Sequence, residues 1–422
     1  MRRKNYKKNS KKRINVAETM VVAIDIATKT NTAIFRSPEG RDSMPFEFTN
    51  TKHGFDNFYY RLQWYKAKYN SRKVVVGFES TGVYAEPLTH YLQGKNIHLV
   101  MVNPVHTKRV KEIRDNSPNK TDEKDPRVIA DLIQLGCFLS VITPKGPAAE
   151  LRHLVHARER AIEVRNGLIS MLFNILWKIF PEFTRVVKSL KGKTALYLLK
   201  NYTTPESIAA QDIDELADEL RKISRGQFHR AKTEKLYRLA QNSVGIREGL
   251  SAIVKEIQHL INEMSAQNDF IEEIEKDISL MLEKIPYSKK IMSIKGIAEI
   301  STAGLIGEIA NFEDFDNSAE IEKLAGLNLF EISSGKRKGQ KRISKRGRSL
   351  LRKLLYFAAL NVIKNDGIFR EKYQEFLERG KPKNQALIAI ARKLLRVVFA
   401  LVRNNTDFDK EYETQQRLRQ AA

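Results

Sequence analysis

The sequence predicts an α/β domain at the N-terminus, followed by long coiled-coil helices and a mainly α-helical C-terminal domain. Three observations support this order. Short β-branched runs alternate with helical patterns over residues 20–145, which indicates a sheet with a parallel portion and helices on its faces. Apolar residues then recur at alternating intervals of three and four, as in a coiled coil. Residues 286–415 are basic and helical in pattern.

The predicted sheet consists of short apolar strands. Three strands come in close succession, "MVVAIDIA", "TAIFRS" and "MPFEF", and the amphipathic segment "HGFDNFYYRLQWYKAKY" follows them as a helix. Two further strands, "KVVVGFES" and "IHLVMVNP", flank the helical segment "AEPLTHYLQGK". Alternation of this kind favours parallel pairing of the later strands.

Two long helices are predicted in the middle of the chain. The first covers residues 148–180 and ends at Pro181, and the second has a 3.5-residue period over about forty residues, or roughly 60 Å. Two pairings fit the second helix, an antiparallel hairpin with the first or a dimer seam; a core helix of a bundle is the alternative. Its apolar positions are Leu250, Ile253, Ile257, Leu260, Met264, Ile271, Ile274, Ile278, Met281 and Ile285.

These patterns divide the chain into five predicted segments. They are a basic disordered arm over residues 1–17, an α/β domain over 18–145, a helical and coiled-coil region over 146–285, a helical domain over 286–415 and a tail over 416–422.

The net charge of +24 predicts a polyanionic partner, and nucleic acid is the commonest one. An anionic membrane surface is the competing interpretation. No apolar run approaches the roughly 18 residues that span a bilayer, and the start "MRRKNYKKNSKKRIN" lacks the apolar core of a signal peptide. We expect this arm either to contact phosphates or to act as a solubilising tail.

Cysteine usage is minimal. The single residue, Cys137, cannot form an internal disulfide or a cysteine-rich zinc site. The eight histidines have no metal-binding spacing with a third ligand nearby. We therefore expect a cytosolic protein without structural zinc.

Four carboxylates have positions that suit a metal site. Asp25 interrupts the first strand, Glu79 ends the fourth, and Asp122 and Asp125 lie three residues apart at a predicted helix start. Magnesium prefers carboxylates, water and phosphate oxygens, and a pair of such ions stabilises both oxygens of a phosphodiester displacement. Each residue also has a structural interpretation: Asp25 as a buried hydrogen-bonded residue, and Asp122 with Asp125 as a helix cap.

Two nucleotide-binding alternatives fit poorly. An actin-like ATPase also begins with a strand aspartate, but the turn here, "DIATKTNTA", has no glycine to admit phosphates. A P-loop also fits poorly, because Val187 stands where the motif that ends in Gly192-Lys193-Thr194 needs glycine.

The run "SSGKRKGQKRISKRGRSLLRK", residues 333–353, contains ten Lys or Arg among twenty-one residues and no acidic residue. Its spacing alone is that of a phosphate-binding turn, with the serine hydroxyls donating hydrogen bonds. Eight of its cations are the predicted nucleic-acid contacts: Lys336, Arg337, Lys338, Lys341, Arg342, Lys345, Arg346 and Arg348.

Together these motifs resemble the DEDD-type insertion-sequence transposases, relatives of the Piv invertases that are also called bridge-RNA-guided recombinases. "AIDIA", "GFESTG" and "KTDEKD" match the acidic motifs, and the segment from "IKGIAEISTAGLIGEI" through "AGL", "SSG" and "ISKRG" matches the C-terminal domain. The resemblance covers roughly residues 18–180 and 286–405. Pro126, Leu329 and Arg348 depart from the usual Ala, Pro and Asn, and Pro126 biases Asp125 away from helix.

The resemblance implies a RuvC-like RNase H fold for the first domain, with Asp25, Glu79, Asp122 and Asp125 as catalytic Mg²⁺ ligands. It also implies that Ser334 is the nucleophile, with Ser333 the alternative, and that the reaction passes through a covalent phosphoserine intermediate. Donor and target DNA and a structured noncoding guide RNA are the implied partners.

Further expectations concern assembly and rival functions. We expect a homo-oligomer, a dimer or tetramer, with the acidic domain of one subunit meeting the serine domain of another, located with the nucleoid in a prokaryotic cytoplasm. The segment "IKGIAEISTAGLIGEI" is either a helix-turn-helix with its turn at Gly296 or a plain helix connection. The rival functions are a RuvC-like nuclease or junction resolvase without a serine nucleophile, and a non-enzymatic nucleic-acid scaffold.

Overall fold

The computed structural model describes residues 18–79, 82–115, 124–331 and 341–409, with the backbone alone for 111–115 and 124–125. These residues form two compact units that divide between Ile142 and Thr143. The predicted segments 146–285 and 286–415 both fall in the second unit. The predictions that lie outside the described residues are the arm over 1–17, the tail over 416–422, Asp122, Ser333, Ser334, Lys336, Arg337 and Lys338.

The first unit contains a six-stranded mixed sheet in the order β3-β2-β1-β4-β5-β6. Strands β1, β4 and β5 are parallel, whereas β2 and β3 continue antiparallel from β1, and β6 is antiparallel to β5. The predicted sheet with a parallel portion is therefore confirmed, and β6 is an addition to it. The strands are β1 Thr19–Asp25, β2 Thr30–Arg36, β3 Phe46–Thr49, β4 Lys73–Glu79, β5 His98–Val102 and β6 Phe138–Ser140.

Helices cover both faces of this sheet, because its central strands are apolar on both sides. One core joins Ile24 and Phe78 to helices α1 and α2, and the other joins Ala23 and Val75 to helix α4. The helices of this unit are α1 Lys52–Lys68, α2 Glu86–Gly94, α3 Pro104–Asp115 and α4 Lys124–Gln134, with a 3₁₀ turn at Gly82–Ala85.

Helix α4 is held on the sheet by the buried guanidinium of Arg36, at the end of β2. Arg36 makes two bonds to Asp42, of 2.5 and 2.9 Å, and others to Asp131 and Gln134 of α4, of 2.6 and 2.9 Å. Burial alone would lower the pKa of Arg36, but the carboxylates of Asp42 and Asp131 raise it above its ordinary value. A charge buried in an apolar layer needs this pairing, which fixes the helix that carries Asp125.

The second unit is mainly helical, with one small two-stranded sheet. Its strands are β7 Leu329–Glu331 and β8 Lys341–Ile343. Its helices are α5 Pro147–Ile179, α6 Phe183–Val186, α7 Lys193–Asn201, α8 Pro205–Ala209, α9 Ile213–Ile223, α10 Arg230–Gln241, α11 Leu250–Glu283, α12 Ser288–Met292, α13 Glu299–Ile309, α14 Ser318–Leu324, α15 Ser349–Val362, α16 Ile368–Glu378 and α17 Lys383–Asn404.

The two long helices, α5 and α11, pack side by side in opposite directions. Arg158 pairs with Glu275 at 2.7 Å, and seven residues further along α5 the guanidinium of Arg165 donates to Asn268 at 2.9 Å. Because the residue number on α11 falls as the residue number on α5 rises, the two helices are antiparallel. This confirms the hairpin among the predicted pairings; supercoiling of the pair remains a prediction.

The buried stripe of α11 departs from a strict heptad at its end. Ile271, Ile274 and Ile278 are buried as predicted, but the next buried residue is Leu282, whereas Met281 is only half-buried. A straight helix has 3.6 residues per turn, so a buried stripe drifts from a seven-residue repeat. Position 282 therefore replaces 281 on the buried side.

Gly245 lets the chain cross the end of α5 at very close range. The amide of Ile246 donates to the carbonyl of Lys178 at 2.9 Å, and the buried carboxylate of Glu182 accepts bonds from Ser243 and Val244. A β-carbon at position 245 would overlap the carbonyl oxygen of Ile179. Only glycine fits this crossing, which leads the chain into α11.

Helix α13, the second helix of the possible helix-turn-helix, is buried from Thr302 to Ile309. The preceding helix, α12, has only five residues. A recognition helix must present an exposed face to a DNA groove. Burial therefore favours the plain helix connection.

We expect Gly245→Ala to destabilise the protein by about 2 kcal/mol or more, because the added methyl group meets backbone atoms that cannot move aside. The measurement is the midpoint of thermal unfolding, followed by circular dichroism. The matched control is Gly167→Ala, at an open position of α5, which is expected to stabilise that helix by about 0.5–1 kcal/mol. Equal midpoints for the two variants would contradict the close crossing.

Candidate functional site

Two of the predicted carboxylates lie side by side at the end of the sheet. Strands β1 and β4 are parallel with Ile24 opposite Phe78, so the next residues, Asp25 and Glu79, are neighbours where both strands end. Side chains alternate along a strand, and Ile24 and Phe78 both join the core beneath α1 and α2. Asp25 and Glu79 therefore point to the opposite face, which α4 covers. Both residues are half-buried.

Of the other two predicted carboxylates, the structure describes only the backbone of Asp125, at the start of α4. Helix α4 begins at Lys124, so Asp125 lies in its first turn, and Pro126 is also in that turn. A proline is tolerated there because its missing N–H group has no helical partner to lose. The expected bias of Asp125 away from helix is overcome. Asp122 lies outside the described residues, as does the side chain of Asp125.

The donor chemistry at this edge suits a hard divalent cation. Asp25 and Glu79 offer carboxylate oxygens on one face of two adjacent strands, and Mg²⁺ prefers one or two carboxylates together with water and phosphate oxygens. Among the side chains that the structure describes, no group of three His, Cys, Asp or Glu residues converges on one point. The described side chains thus include two of the four predicted ligands, and their role in metal binding stays a prediction.

In the second unit, the basic run begins after the first strand of a β-hairpin and continues through the second strand. Strands β7 and β8 pair antiparallel, with Phe330 opposite Arg342, and residues 332–340 connect them. Of the predicted cations on the described part of this run, Lys341, Arg342, Lys345 and Arg346 are exposed. The exposed positive charge therefore lies on the β8 side of the segment that contains Ser333 and Ser334, whereas β7 carries no cation.

The base of the hairpin is an interlocked pair of turns. The amide of Lys345 donates to the carbonyl of Gly326 at 2.9 Å, and that of Arg348 donates to Leu324 at 2.7 Å. A β-carbon at Gly347 would overlap the carbonyl oxygen of Leu324. This close approach fixes how the two strands leave the helical core.

Buried carboxylates anchor both turns. Glu322 of α14 accepts from Arg392 at 2.7 Å and from Arg396 at 2.6 Å, both on α17. Its side chain is almost fully buried, so these bonds tie the turn that follows α14 to the last long helix. The hairpin is thus mounted on a rigid support.

Arg348, a predicted nucleic-acid contact, faces inward instead. It donates to the carbonyl of Glu308 and lies 3.8 Å from the carboxylate of the same residue, which also contacts His156 at 2.7 Å. Burial and, to a lesser extent, Arg152 lower the pKa of Arg348, Glu308 raises it, and the net result is a pKa of about 10, so Arg348 stays charged at neutral pH. Arg348 supports the hairpin base and does not belong to its exposed charge.

A cleft of about 640 Å³ opens beside β8 in the second unit. Its walls combine the apolar residues Ile343 and Leu350 with charged residues from α5 and α15, including Arg160 and Arg352. Lys353 pairs with Glu159 across it. No sequence pattern predicted this cleft.

Two family models match this chain. A transposase model of the DEDD IS110 type matches residues 22–181, and one described as the transposase IS116/IS110/IS902 family matches residues 288–374. Together they cover more than half of the chain. The chain belongs to the IS110 family of DEDD transposases. The resemblance seen in the sequence is thereby confirmed, and with it the assignment as a DNA recombinase of the transposase class.

Insertion-element proteins are similar to this transposase over most of their length. It is 29% identical over 293 residues to an uncharacterized 42 kDa protein of insertion element IS900 from Mycobacterium paratuberculosis. The aligned region covers 68% of this chain and 72% of that protein. An uncharacterized 44.8 kDa protein of IS116 from Streptomyces clavuligerus is 25% identical over 292 residues, with the same coverage. A pilin gene-inverting protein of Moraxella bovis is 33% identical over 125 residues, 28% of this chain and 38% of that protein.

The matches coincide with the two predicted parts of the transposase site. The first contains all four predicted carboxylates, and the second contains Ser333, Ser334 and the basic run. Within the described parts of the chain, no helix combines the length and the apolarity that crossing a bilayer requires.

We expect Glu308→Gln to destabilise the transposase by about 3 kcal/mol at neutral pH, because it removes the buried carboxylate beside the largely buried Arg348. Burial alone would raise the pKa of Glu308, but His156, Arg152 and Arg348 lower it below its ordinary 4.5. Because the pKa of Glu308 is lower in the folded protein, its ionised carboxylate stabilises the folded state above pH 4.5. This stabilisation is lost as the pH falls through the folded-state pKa. The difference between wild type and variant should therefore shrink in acid.

The measurement is the midpoint of thermal unfolding of wild type and Glu308→Gln, from neutral pH down to below pH 4.5. Asp366→Asn is the control, because Asp366 is exposed and pairs with Arg370 one turn away; little change is expected at any pH. A difference between wild type and Glu308→Gln that stays constant down to acid pH would contradict the assigned role of Glu308.

Proposed function

We propose that this transposase moves an insertion sequence by Mg²⁺-dependent DNA cleavage and strand exchange, with Ser334 as nucleophile and a structured noncoding RNA as guide. The observation that carries the proposal is the placement of Asp25 and Glu79 side by side where two parallel strands end. Asp122 and Asp125 complete the proposed ligand set for Mg²⁺. When bound, this ion would neutralise charge on the scissile phosphate and stabilise the attacking and leaving oxygens.

The sheet supports a RuvC-like RNase H fold for the first unit. Strands β1, β2 and β3 pair antiparallel in succession, and β4 and β5 then add on the other side of β1, parallel to it. The first acidic residue, Asp25, lies at the end of the central strand β1. Helix α4, which carries Asp125, covers the face to which Asp25 and Glu79 point. Such an arrangement lets carboxylates from two strands and one helix act on one phosphodiester.

Ser334 would form a bond from its hydroxyl oxygen to phosphorus while the bond to a sugar oxygen breaks. The hydroxyl proton passes to a base and then to the leaving oxygen, and the return of a sugar hydroxyl reverses these steps. Because the phosphodiester energy is kept in the phosphoserine, exchange needs no nucleotide cofactor. The exposed cations of the hairpin, Lys341, Arg342 and Lys345, would neutralise DNA phosphates beside this serine.

The +24 charge is compatible with holding RNA and DNA together. We infer a homo-oligomer in which different subunits supply the acidic and serine parts of a complete site. Mixing Asp25→Ala protein with Ser334→Ala protein should then restore part of the activity that each has lost. No recovery in the mixture would contradict this sharing between subunits.

The decisive experiment is to trap a covalent protein–DNA adduct on a denaturing gel, with guide RNA and Mg²⁺ present. We expect an adduct with wild type and Ser333→Ala, and none with Ser334→Ala. Asp25→Asn and Glu79→Gln should reduce recombination by about three orders of magnitude or more, as catalytic groups that act together do. Chelation of Mg²⁺ should have the same effect.

The matched control is Glu86→Gln, an exposed carboxylate of α2 on the other side of the sheet, which should leave recombination unchanged. Retained DNA cleavage in Ser334→Ala, without any adduct, would instead identify a RuvC-like nuclease or junction resolvase. Full activity in Asp25→Asn and Glu79→Gln would overturn the role of the acidic edge.

A further inference from the structure

Helix α1 presents two large aromatic side chains to solvent. Tyr60 is 74% exposed and Trp64 is 45% exposed, and they lie four residues apart on one face of the helix. The opposite face already packs into the core through Phe55, Phe58 and Leu62. The exposed pair is therefore not needed to hold α1 on the sheet.

The same helix is strongly basic. It carries four Lys or Arg residues and a single carboxylate, Asp56, which accepts a bond from the Tyr91 hydroxyl at 2.6 Å. The ammonium of Lys68 lies 4.8 Å from the centre of the Trp64 ring, and Arg61, next to Tyr60, is an exposed residue whose guanidinium lies 5.1 Å from the centre of the Phe46 ring. Cations thus alternate with stacking surfaces along the exposed face.

The sheet separates this face of α1 from the carboxylates of Asp25 and Glu79. Helix α1 packs on the side of the sheet that holds Ile24 and Phe78, whereas Asp25 and Glu79 point to the other side. A strand that passes over α1 would therefore not be the strand that meets the acidic edge. The basic aromatic face is a separate surface of the first unit.

We propose that the exposed face of α1 binds unpaired nucleotides of a single nucleic-acid strand, with bases stacked on Tyr60 and Trp64 and phosphates on Arg61 and Lys68. Exposed aromatic rings between cations suit unpaired bases, whose faces are open, and not a duplex, whose bases are already stacked. The excess of cations opposes a basic or a second identical helix as occupant. The inference rests on the proposed function only in taking nucleic acid as the partner.

The transposase contains two tryptophans, Trp64 and Trp177, so fluorescence can report on each alone. In Trp177→Phe, where Trp64 is the sole emitter, we expect oligouridylate to quench the emission. In Trp64→Phe, where Trp177 is the sole emitter, we expect no quenching. An oligothymidylate arm distinguishes RNA from DNA: quenching by either supports the surface, and the tighter of the two identifies the strand.

Affinity for the labelled oligonucleotide, measured at one fixed salt concentration, provides the second readout. Tyr60→Ala and Trp64→Ala should each weaken binding at least about fivefold, and Trp64→Phe should retain most of it. The matched control is Trp177→Ala, which removes a tryptophan that is 57% exposed on α5. All measurements use chelated Mg²⁺ and a Ser334→Ala background, so failure of the proposed chemistry cannot affect them.

Three results would overturn this inference. They are the absence of Trp64 quenching by either strand, an equal loss of affinity in Trp177→Ala, and quenching that depends on protein concentration without nucleic acid. The last result, checked by sedimentation, would show that a second protein copy covers α1.

Discussion

The parallel pairing of β1 with β4 is the constraint on which the acidic edge depends. The backbone ladder places Ile24 opposite Phe78, and the residue that follows each of them is acidic. A slip of one residue would turn Asp25 or Glu79 into the apolar core beneath α1, where an unpaired charge costs several kcal/mol. The apolar residues that precede each carboxylate therefore set its position. In this sheet, the packing of the apolar core thus also determines where the two carboxylates lie.

Buried ion pairs perform the corresponding task where helices must be held. Arg36 joins β2 to α4, Glu322 joins α14 to α17, and Glu308 joins α13 to the hairpin base. Such pairs add little net stability but are costly to break, so they favour one arrangement of the elements over others. In this transposase they hold the elements that carry the proposed site: Arg36 contacts the end of α4 opposite Asp125, and Glu322 and Glu308 lie beneath the hairpin. A mobile support would leave α4 and the two strands of the hairpin without a defined position.

Much of this fold could be predicted because its signals are local. Strand alternation gave the central sheet, and apolar spacing gave both long helices and their antiparallel pairing as one of two choices. β6 was missed because three residues, Phe138–Ser140, are too few for a pattern. Arg36 and Asp131 were also missed, although each is a lone charge in an apolar segment, the signal that singled out Asp25. The hairpin base escaped prediction because its turns interlock across some twenty residues of sequence.

The total charge of the chain could not show which cations are free of the protein interior, whereas burial shows which of them are exposed to a partner. Arg348 stands in the same basic run as Lys341 and Arg342, yet Glu308 neutralises it inside the protein. Arg61 and Lys68 stand in a helix that the sequence marks only as amphipathic, yet they lie on its exposed side beside Tyr60 and Trp64. A cation with a buried carboxylate partner releases no counterion from a phosphate, whereas an exposed one does. The electrostatic footprint of this transposase is therefore set by its exposed cations, and the +24 total is only a loose guide to it.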